Sequence, residues 1–204
     1  MSRMSEAEAL DLFLNAPLNE LCAMANAEKE RRHGKSVYWV NNRQINYTNV
    51  CVLHCKFCAF SKIKKDSPTA YDWDYPTIRD KAAYAIEGGA RELHIVGGLH
   101  PDHPFDYYIE MLRKLRQEFP KVNLKAFTAV EICHFAKISG QTPLQIMETL
   151  KDAGLDALPG GGAEILVQSV RDQICPGKET GEEWLGVHRA AHQIGIPTNA
   201  TMLF

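Results

Sequence analysis

Asn49-Val-Cys-Val-Leu-His-Cys-Lys-Phe-Cys-Ala-Phe60 carries cysteines at 51, 55 and 58, a C-x3-C-x2-C spacing. Three thiolates are one short of the four that a closed zinc or iron–sulfur site takes. A [4Fe–4S] cluster held by Cys51, Cys55 and Cys58 therefore keeps one iron open to a small ligand. Three other readings compete. Zinc would need a fourth ligand borrowed from Cys133, Cys175 or His54. Disulfides fit poorly, because nothing points to secretion. Core packing alone does not call for three cysteines in so short a run.

An open iron is a position that S-adenosylmethionine (SAM) can chelate through its amino and carboxylate groups. An electron from the cluster then cleaves the cofactor's S–C5′ bond and releases a 5′-deoxyadenosyl radical. The chemistry is the cofactor's, and the protein holds, orients and shields it.

The rest of the chain is ordinary for a globular enzyme. Its 204 residues are enough for one substantial core, with 45% hydrophobic and 24% charged residues. A net charge of −2 argues against a nucleic-acid or membrane-surface role. Glu6, Glu8 and Asp11 lie where a signal peptide would carry positive charge. No apolar run approaches the ~18 residues of a membrane span. A reducing cytoplasm is the expected location.

Hydrophobic periodicity outlines the elements. Ser5-Glu-Ala-Glu8 reads as a capping box opening a short helix, and Pro17 opens a second that runs to about Arg32 and stops at Gly34. Val37–Val40 and Gln44–Val50 read as strands, the second feeding the cysteine loop. Beyond it, helix Pro76–Glu87, strand Glu92–Val96, helix Phe105–Phe119 and strand Val122–Phe127 alternate. Helices Val130–Ile138 and Pro143–Asp152 precede strand Leu155–Leu158. Helices Ala163–Ile174 and Glu182–Ile194 precede a last strand, Pro197–Phe204. Strands each followed by a helix imply parallel pairing, in a barrel or an open α/β sheet. Five such strands are too few for an eight-unit barrel of about 250 residues. The expectation is a partial barrel or a fragment of a longer chain, with a helical extension over 1–34 and the barrel core over 35–204.

Asn46-Tyr-Thr-Asn-Val-Cys51 through Cys58-Ala-Phe60 resembles the radical SAM enzymes of menaquinone and deazaflavin biosynthesis. Within that group, His94-Ile-Val-Gly-Gly-Leu-His-Pro101 and Leu124-Lys-Ala-Phe-Thr-Ala-Val-Glu-Ile132 resemble the aminofutalosine synthase family. So do Leu158-Pro-Gly-Gly-Gly-Ala-Glu-Ile165, Ile174-Cys-Pro-Gly-Lys178 and Thr198-Asn-Ala-Thr-Met-Leu203. The resemblance implies a (β/α) barrel of the radical SAM type, a [4Fe–4S] cluster, SAM as cosubstrate and an external electron donor of flavodoxin or ferredoxin type. It implies addition of the deoxyadenosyl radical to the enolpyruvyl group of 3-[(1-carboxyvinyl)oxy]benzoate, with rearrangement and decarboxylation to 6-amino-6-deoxyfutalosine. The alternatives are a hydrogen-abstracting relative, of the cyclic dehypoxanthinylfutalosine or deazaflavin synthase type, and a non-enzymatic Fe–S electron-transfer module.

Site candidates follow. The resemblance places Phe57 beside the adenine; plain shielding of the cluster is the competing reading. Gly97 and Gly98 end a strand at the face where barrels put their sites, and would let backbone carbonyls approach the cofactor's ammonium. A tight strand-to-helix turn would also explain them. Glu164 could bind the ribose hydroxyls or the cofactor amine, or simply favour a helix N-terminus. Lys178 is the candidate partner of the methionine carboxylate, against a solvated surface lysine. Thr128, Glu131 and His100 are candidates for substrate contact. Lys125, Arg171 and Arg189 are available cations for the substrate's two carboxylates, with none assigned. Cys22, Cys133 and Cys175 read as packing thiols, and Lys62-Ile-Lys-Lys65 as a solvated loop, not a nucleic-acid patch, which in the intact enzyme could also border the cluster side.

Overall fold

The computed structural model describes residues 4–203 and divides the chain into two compact units, parting after Trp39. The first holds α1 (Glu6–Asn15) and α2 (Leu18–His33). The Ser5 hydroxyl accepts from the Glu8 N–H, and the Glu8 carboxylate accepts from the Ser5 N–H at 2.7 Å, closing the expected capping box. Glu28 pairs with both Arg31 and Arg32 on the α2 surface. Neither helix buries a residue within the chain. Val37–Val40 is not a strand. All four side chains are exposed and no ladder includes them. β-branched and aromatic residues suit a pleated surface, but a strand needs a neighbour to bond with.

In the second unit, β1 (Asn42–Ile45), β2 (Glu92–Ile95) and β3 (Asn123–Ala126) form a parallel sheet in the order β1-β2-β3. Ile45, Ile95 and Ala126 stand level across it. Parallel bridges Lys125↔Ala157 and Leu158↔Thr198 carry the same order outward. The segments expected as strands four and five are present there as single bridges, not full ladders; Phe204 lies outside the described residues.

The helices on the outside are α3 (Tyr75–Glu87), α4 (Phe105–Glu118), α5 (Ala129–Ser139), α6 (Pro143–Asp152), α7 (Gln168–Ile174) and α8 (Gly181–Gln193). α4 shows why they dock. It buries Phe105, Tyr108, Ile109, Met111, Leu112 and Leu115, one stripe at helical spacing. That stripe packs with Leu93, Ile95 and Leu124 of the sheet, each fully buried. Every such Leu or Ile contributes about 1.5–3 kcal/mol by leaving water. Thr128, Thr142 and Thr180 start α5, α6 and α8 with capping boxes to Glu131, Gln145 and Glu183. One expected helix is shorter: Ala163–Ile174 becomes helical only at Gln168. Gly162 (φ 92°) and Glu164 (φ 50°) lie in the left-handed region, which an α-helix cannot pass through.

Candidate active site

Each strand of the sheet ends in a segment that turns toward one cavity of about 370 Å³. This is the C-terminal edge, where βα loops build the sites of parallel barrels. Its lining includes Cys51, Cys55 and Cys58 from the loop after β1, Gly97 after β2, Thr128 after β3, and Glu164 and Lys178 beyond.

The cysteine loop is fastened at both ends. Cys51 N–H donates to Lys62 O at 3.0 Å, Lys62 N–H to Asn49 O at 2.7 Å, and Lys56 N–H to Ile174 O at 2.8 Å. The Asn49 amide brackets the next segment, donating to Thr69 O and accepting from Tyr71 N–H, both at 2.8 Å. Gly98 N–H donates to Thr48 O and Val52 N–H to Leu99 O, which joins this loop to the end of β2.

Gly97 and Gly98 are required by close approach and not by a turn. A Cβ on Gly98 would stand 2.2 Å from Val50 O, and one on Gly97 would meet the Tyr47 ring at 2.5 Å. Gly97 lines the cavity and Gly98 lies behind it.

One carboxylate ties the rim together. Glu131, 1% exposed, accepts from Tyr47 Oη–H (2.7 Å) and Gly97 N–H (3.0 Å) on Oε1. Its Oε2 accepts from Thr128 N–H (2.7 Å) and Thr128 Oγ1–H (2.9 Å). Tyr47, Gly97 and Thr128 each stand two residues past the end of their strand. Burial pushes the Glu131 carboxyl up to about 7, against the pull of these donors. Its oxygens are engaged inside the protein, which gives it a rim-holding task, and it lines the cavity beside Thr128.

Glu164 and Lys178 meet at 2.8 Å on the cavity wall, and Lys178 Nζ lies 5.7 Å from the centre of the Phe57 ring. The competing reading of each falls away: Glu164 is outside any helix, and the Lys178 side chain is buried, not solvated. Phe57 lines the cavity while remaining 42% exposed. Burial pushes the Cys55 thiol up to about 11, with the Lys178 ammonium pulling the other way. A metal centre would displace that proton.

His100 does not face the cavity. It is 6% exposed and stacks on His103 with ring centres 4.0 Å apart. The Asp72 carboxylate lies 2.8 Å from His103 Nε2 and 3.7 Å from His100 Nε2. Asp72, His100 and His103 bring three possible ligand atoms within 4.8 Å. However, Asp102 N–H donates to His100 Nδ1 at 3.2 Å, so the ring's proton sits on Nε2, facing Asp72. That tautomer offers Asp72 a donor and no lone pair for an ion. The available cations, none of them assigned, pair within the protein: Lys125 with Glu92, Arg171 with Glu179 and Arg189 with Glu182. Cys133 and Cys175 are buried thiols as expected, whereas Cys22 is exposed.

The cavity suits a cluster and a polar ligand. Cys51, Cys55 and Cys58 share the lining, three thiols from one loop and one short of a closed site. Asn46, another lining residue, has a buried Oδ1 with no hydrogen-bond partner among the described residues. A ligand N–H or O–H would satisfy it. Sequence reasoning passed over Asn46, although it opens the motif Asn46–Cys51.

The Radical SAM superfamily profile matches residues 45–204. The chain belongs to the radical SAM superfamily. Radical SAM enzymes use a [4Fe–4S] cluster and SAM, and the three cysteines, Asn46 and the Glu164–Lys178 pair fit that requirement. The chain is 42% identical to the aminodeoxyfutalosine synthase of Thermus thermophilus, over 99% of this chain and 54% of that protein. It is 38% identical to the 5-amino-6-(D-ribitylamino)uracil–L-tyrosine 4-hydroxyphenyl transferase of Methanopyrus kandleri, over 98% of this chain and 54% of that protein. Identity to the cyclic dehypoxanthine futalosine synthase of Streptomyces coelicolor is also 38%, over 98% of this chain and 51% of that one. The chain thus spans about half the length of the curated relatives it matches.

Solved structures agree on the radical SAM fold. The FeFe-hydrogenase maturase HydG from Carboxydothermus hydrogenoformans superposes with a TM-score of 0.74 at 19% identity, covering 99% of this chain and 45% of that one. The methylornithine synthase PylB gives 0.66 at 14%, covering 97% and 51%.

Proposed function

We propose that the protein is an aminofutalosine synthase, joining the 5′-deoxyadenosyl part of SAM to the enolpyruvyl group of 3-[(1-carboxyvinyl)oxy]benzoate, with decarboxylation to 6-amino-6-deoxyfutalosine. The observation that carries this reading is the 42% identity to an aminodeoxyfutalosine synthase across nearly the whole chain. When bound, a [4Fe–4S] cluster with SAM supplies one-electron reductive cleavage of the cofactor's S–C5′ bond.

The chain's own residues hold and shield. Cys51, Cys55 and Cys58 would hold the cluster, and Phe57 would offer its ring to the cofactor's adenine. Glu164 and Lys178 offer opposite charges to the ammonium and carboxylate of the methionine moiety. Asn46 Oδ1 takes a ligand donor. Gly97, with no side chain, lets the Tyr47 ring pack against the rim while its backbone lines the cavity. Of the substrate candidates, Thr128 and Glu131 both line the cavity for that role, and His100 does not. Val96, Leu99 and Val130 line the same cavity with apolar surface, which excludes water and hydrogen donors from a reactive species.

A hydrogen-abstracting relative is the second reading, favoured by the 38% identity to the cyclic dehypoxanthine futalosine synthase over almost the same span. The test is an anaerobic assay of full-length, cluster-loaded, reduced protein with SAM and the enolpyruvyl benzoate, read by mass spectrometry. A product holding both the adenosyl group and the benzoate supports the synthase. Free 5′-deoxyadenosine alone moves the assignment to the second reading. A full cluster that cycles its redox state without cleaving SAM would leave only an electron-transfer module.

A further inference from the structure

One stripe of α5 borders three hollows in succession. Val130 lines the cavity of the candidate site and also a smaller hollow of about 120 Å³ behind it. Cys133 and Lys137 line that hollow and also an outer groove of about 550 Å³ between α5, α6 and α8. Residues 130, 133 and 137 share one face of the helix about a turn apart, so the three hollows follow one another over about 10 Å. Leu53, Leu99 and Val130 stand between cavity and hollow and line both. With Cys51 they form a small apolar cluster apart from the main core. Side chains with open space on two sides lack the close packing that holds an interior still, so this partition can swing. The charged groups on the wall of the hollow are already taken: Lys178 pairs with Glu164, and Glu179 with Arg171. Burial pushes the Cys133 thiol up, which keeps it neutral.

We propose that these hollows form an exit for a small uncharged molecule, the carbon dioxide released by the decarboxylation, running past Val130 and Cys133 to the outer groove at Lys137. The proposal rests on the synthase reading and names the route by which that reaction's smallest product leaves. Size selects the passenger. The middle hollow has room for about four waters, too little for a nucleoside or a benzoate. Polarity selects it again, because the partition of Leu53, Leu99 and Val130 offers nothing to an ion and favours an apolar gas. Apolar hollows of this size stay dry, so the route lets a gas out without letting water in toward a reactive species. The mouth of the cavity is meanwhile filled by the cofactor and by the larger product, which leaves the back wall as the free way out. No bond on this chain changes along the route.

The experiment has two arms, both on the full-length, cluster-loaded protein. Crystals are first pressurised with xenon, an apolar probe, which is expected in the middle hollow against Leu99, Val130 and Cys133. Wild type is then compared with Cys133→Phe, which fills the hollow, Cys133→Ser, which does not, and Lys137→Trp, which covers the outer mouth from an exposed position. Each runs a single anaerobic turnover on the enolpyruvyl benzoate, labelled with heavy carbon in both carboxylates. Time-resolved infrared spectra separate carbon dioxide held in the protein from that in solution. Escape is expected to slow by about threefold or more in Cys133→Phe and Lys137→Trp, and to stay within about twofold in Cys133→Ser. Lys137→Trp should form the adenosyl–benzoate product at the wild-type rate, so that the block shows as retained gas. Should Cys133→Phe fail to fold, Lys137→Trp and the xenon map decide the matter. Xenon confined to the main cavity overturns the proposal. So does escape at the wild-type rate from Lys137→Trp. Wild type that forms no labelled carbon dioxide sinks the synthase reading, and the named passenger with it.

Discussion

Replacing Arg171 should cost more stability than replacing any residue that touches the cavity directly. Its guanidinium is 1% exposed and serves four acceptors. Nε (3.0 Å) and Nη2 (2.5 Å) donate to Glu179 O, and Nη2 also to Glu179 Oε1 (3.1 Å); Nη1 donates to Ile165 O (2.9 Å) and to Ala163 O. The carbonyls of 163 and 165 flank Glu164, whose φ of 50° is unusual for a side-chain-bearing residue. Arg171 therefore holds the strained residue from both sides, and Glu179 adjoins Lys178. Lysine at 171 keeps the charge but not the planar fork, and would leave about two buried acceptors unpaired, each costing roughly 1–3 kcal/mol. The expected loss is about 2–4 kcal/mol, a fall in Tm on the order of 5–15 °C for a chain of this size. Arg171→Met strands the Glu179 carboxylate as well, adding about 3–5 kcal/mol against a total stability of about 5–15 kcal/mol. Arg171→Met/Glu179→Gln should be less damaged than the sum of its singles, because the stranded charge is gone. Thermal unfolding followed by circular dichroism, run as a double-mutant cycle, reads all four proteins. An Arg171→Met protein within about 1 kcal/mol of wild type would refute the clamp.

Gly98→Ala should destabilise by at least about 1–3 kcal/mol, since its Cβ would meet Val50 O at 2.2 Å; denaturant unfolding measures it. Gly186→Ala, in α8 with nothing within 4 Å of its new Cβ, should instead stabilise by about 0.5–1 kcal/mol in the same assay. Cys55→Ala should fail to retain a full cluster, checked by iron and sulfide analysis after anaerobic reconstitution. Glu131 gives a pH signature. Its carboxyl is raised from 4.5 to about 7 in the folded state, so between those values the folded chain binds the extra proton. Stability is then greatest below 4.5 and falls as pH rises through 7, by up to about 3 kcal/mol from this group. Glu131→Gln should remove that slope. Unfolding free energies of both proteins across pH 4.5–7.5 check it, and a wild-type advantage that grows with pH would contradict the sign.

Local signals were legible in the sequence, and long-range contacts were not. Ser5–Glu8 announced α1, and the spacing of Tyr108, Met111, Leu112 and Leu115 announced α4 with its buried face. The cysteine motif and Gly97 reach one cavity because each follows a strand end, a rule the βα pattern already carries, whereas Lys178 arrives from beyond α7. Thr128 and Glu131 show the opposite case. Their spacing is that of a capping box, yet the pair read as contact residues because nothing local reveals that Tyr47 and Gly97 also arrive at Glu131. Val37–Val40 had strand composition without a strand partner, which no local pattern records. The late start of α7 depends on Glu164, whose conformation is imposed by an arginine seven residues away. His100 followed the glycines in sequence but found Asp72 and His103 in space.

Glu131 has a mechanical consequence. Parallel strands pair through evenly spaced, slanted bonds, slightly weaker per residue than antiparallel ones, and these ladders are only four residues long. Glu131 is a pin driven through the three plies above them: one carboxylate fastened to the chain beyond β1, β2 and β3 at the same level. The mouth of the cavity therefore keeps its gauge even when the short ladders beneath it breathe. With a pKa of about 7, the pin also has a release. Taking up one proton leaves the carboxyl with fewer lone pairs to share among its four donors but relieves the cost of burying its charge, so in mild acid the rim trades bond strength at its mouth for stability of the fold as a whole.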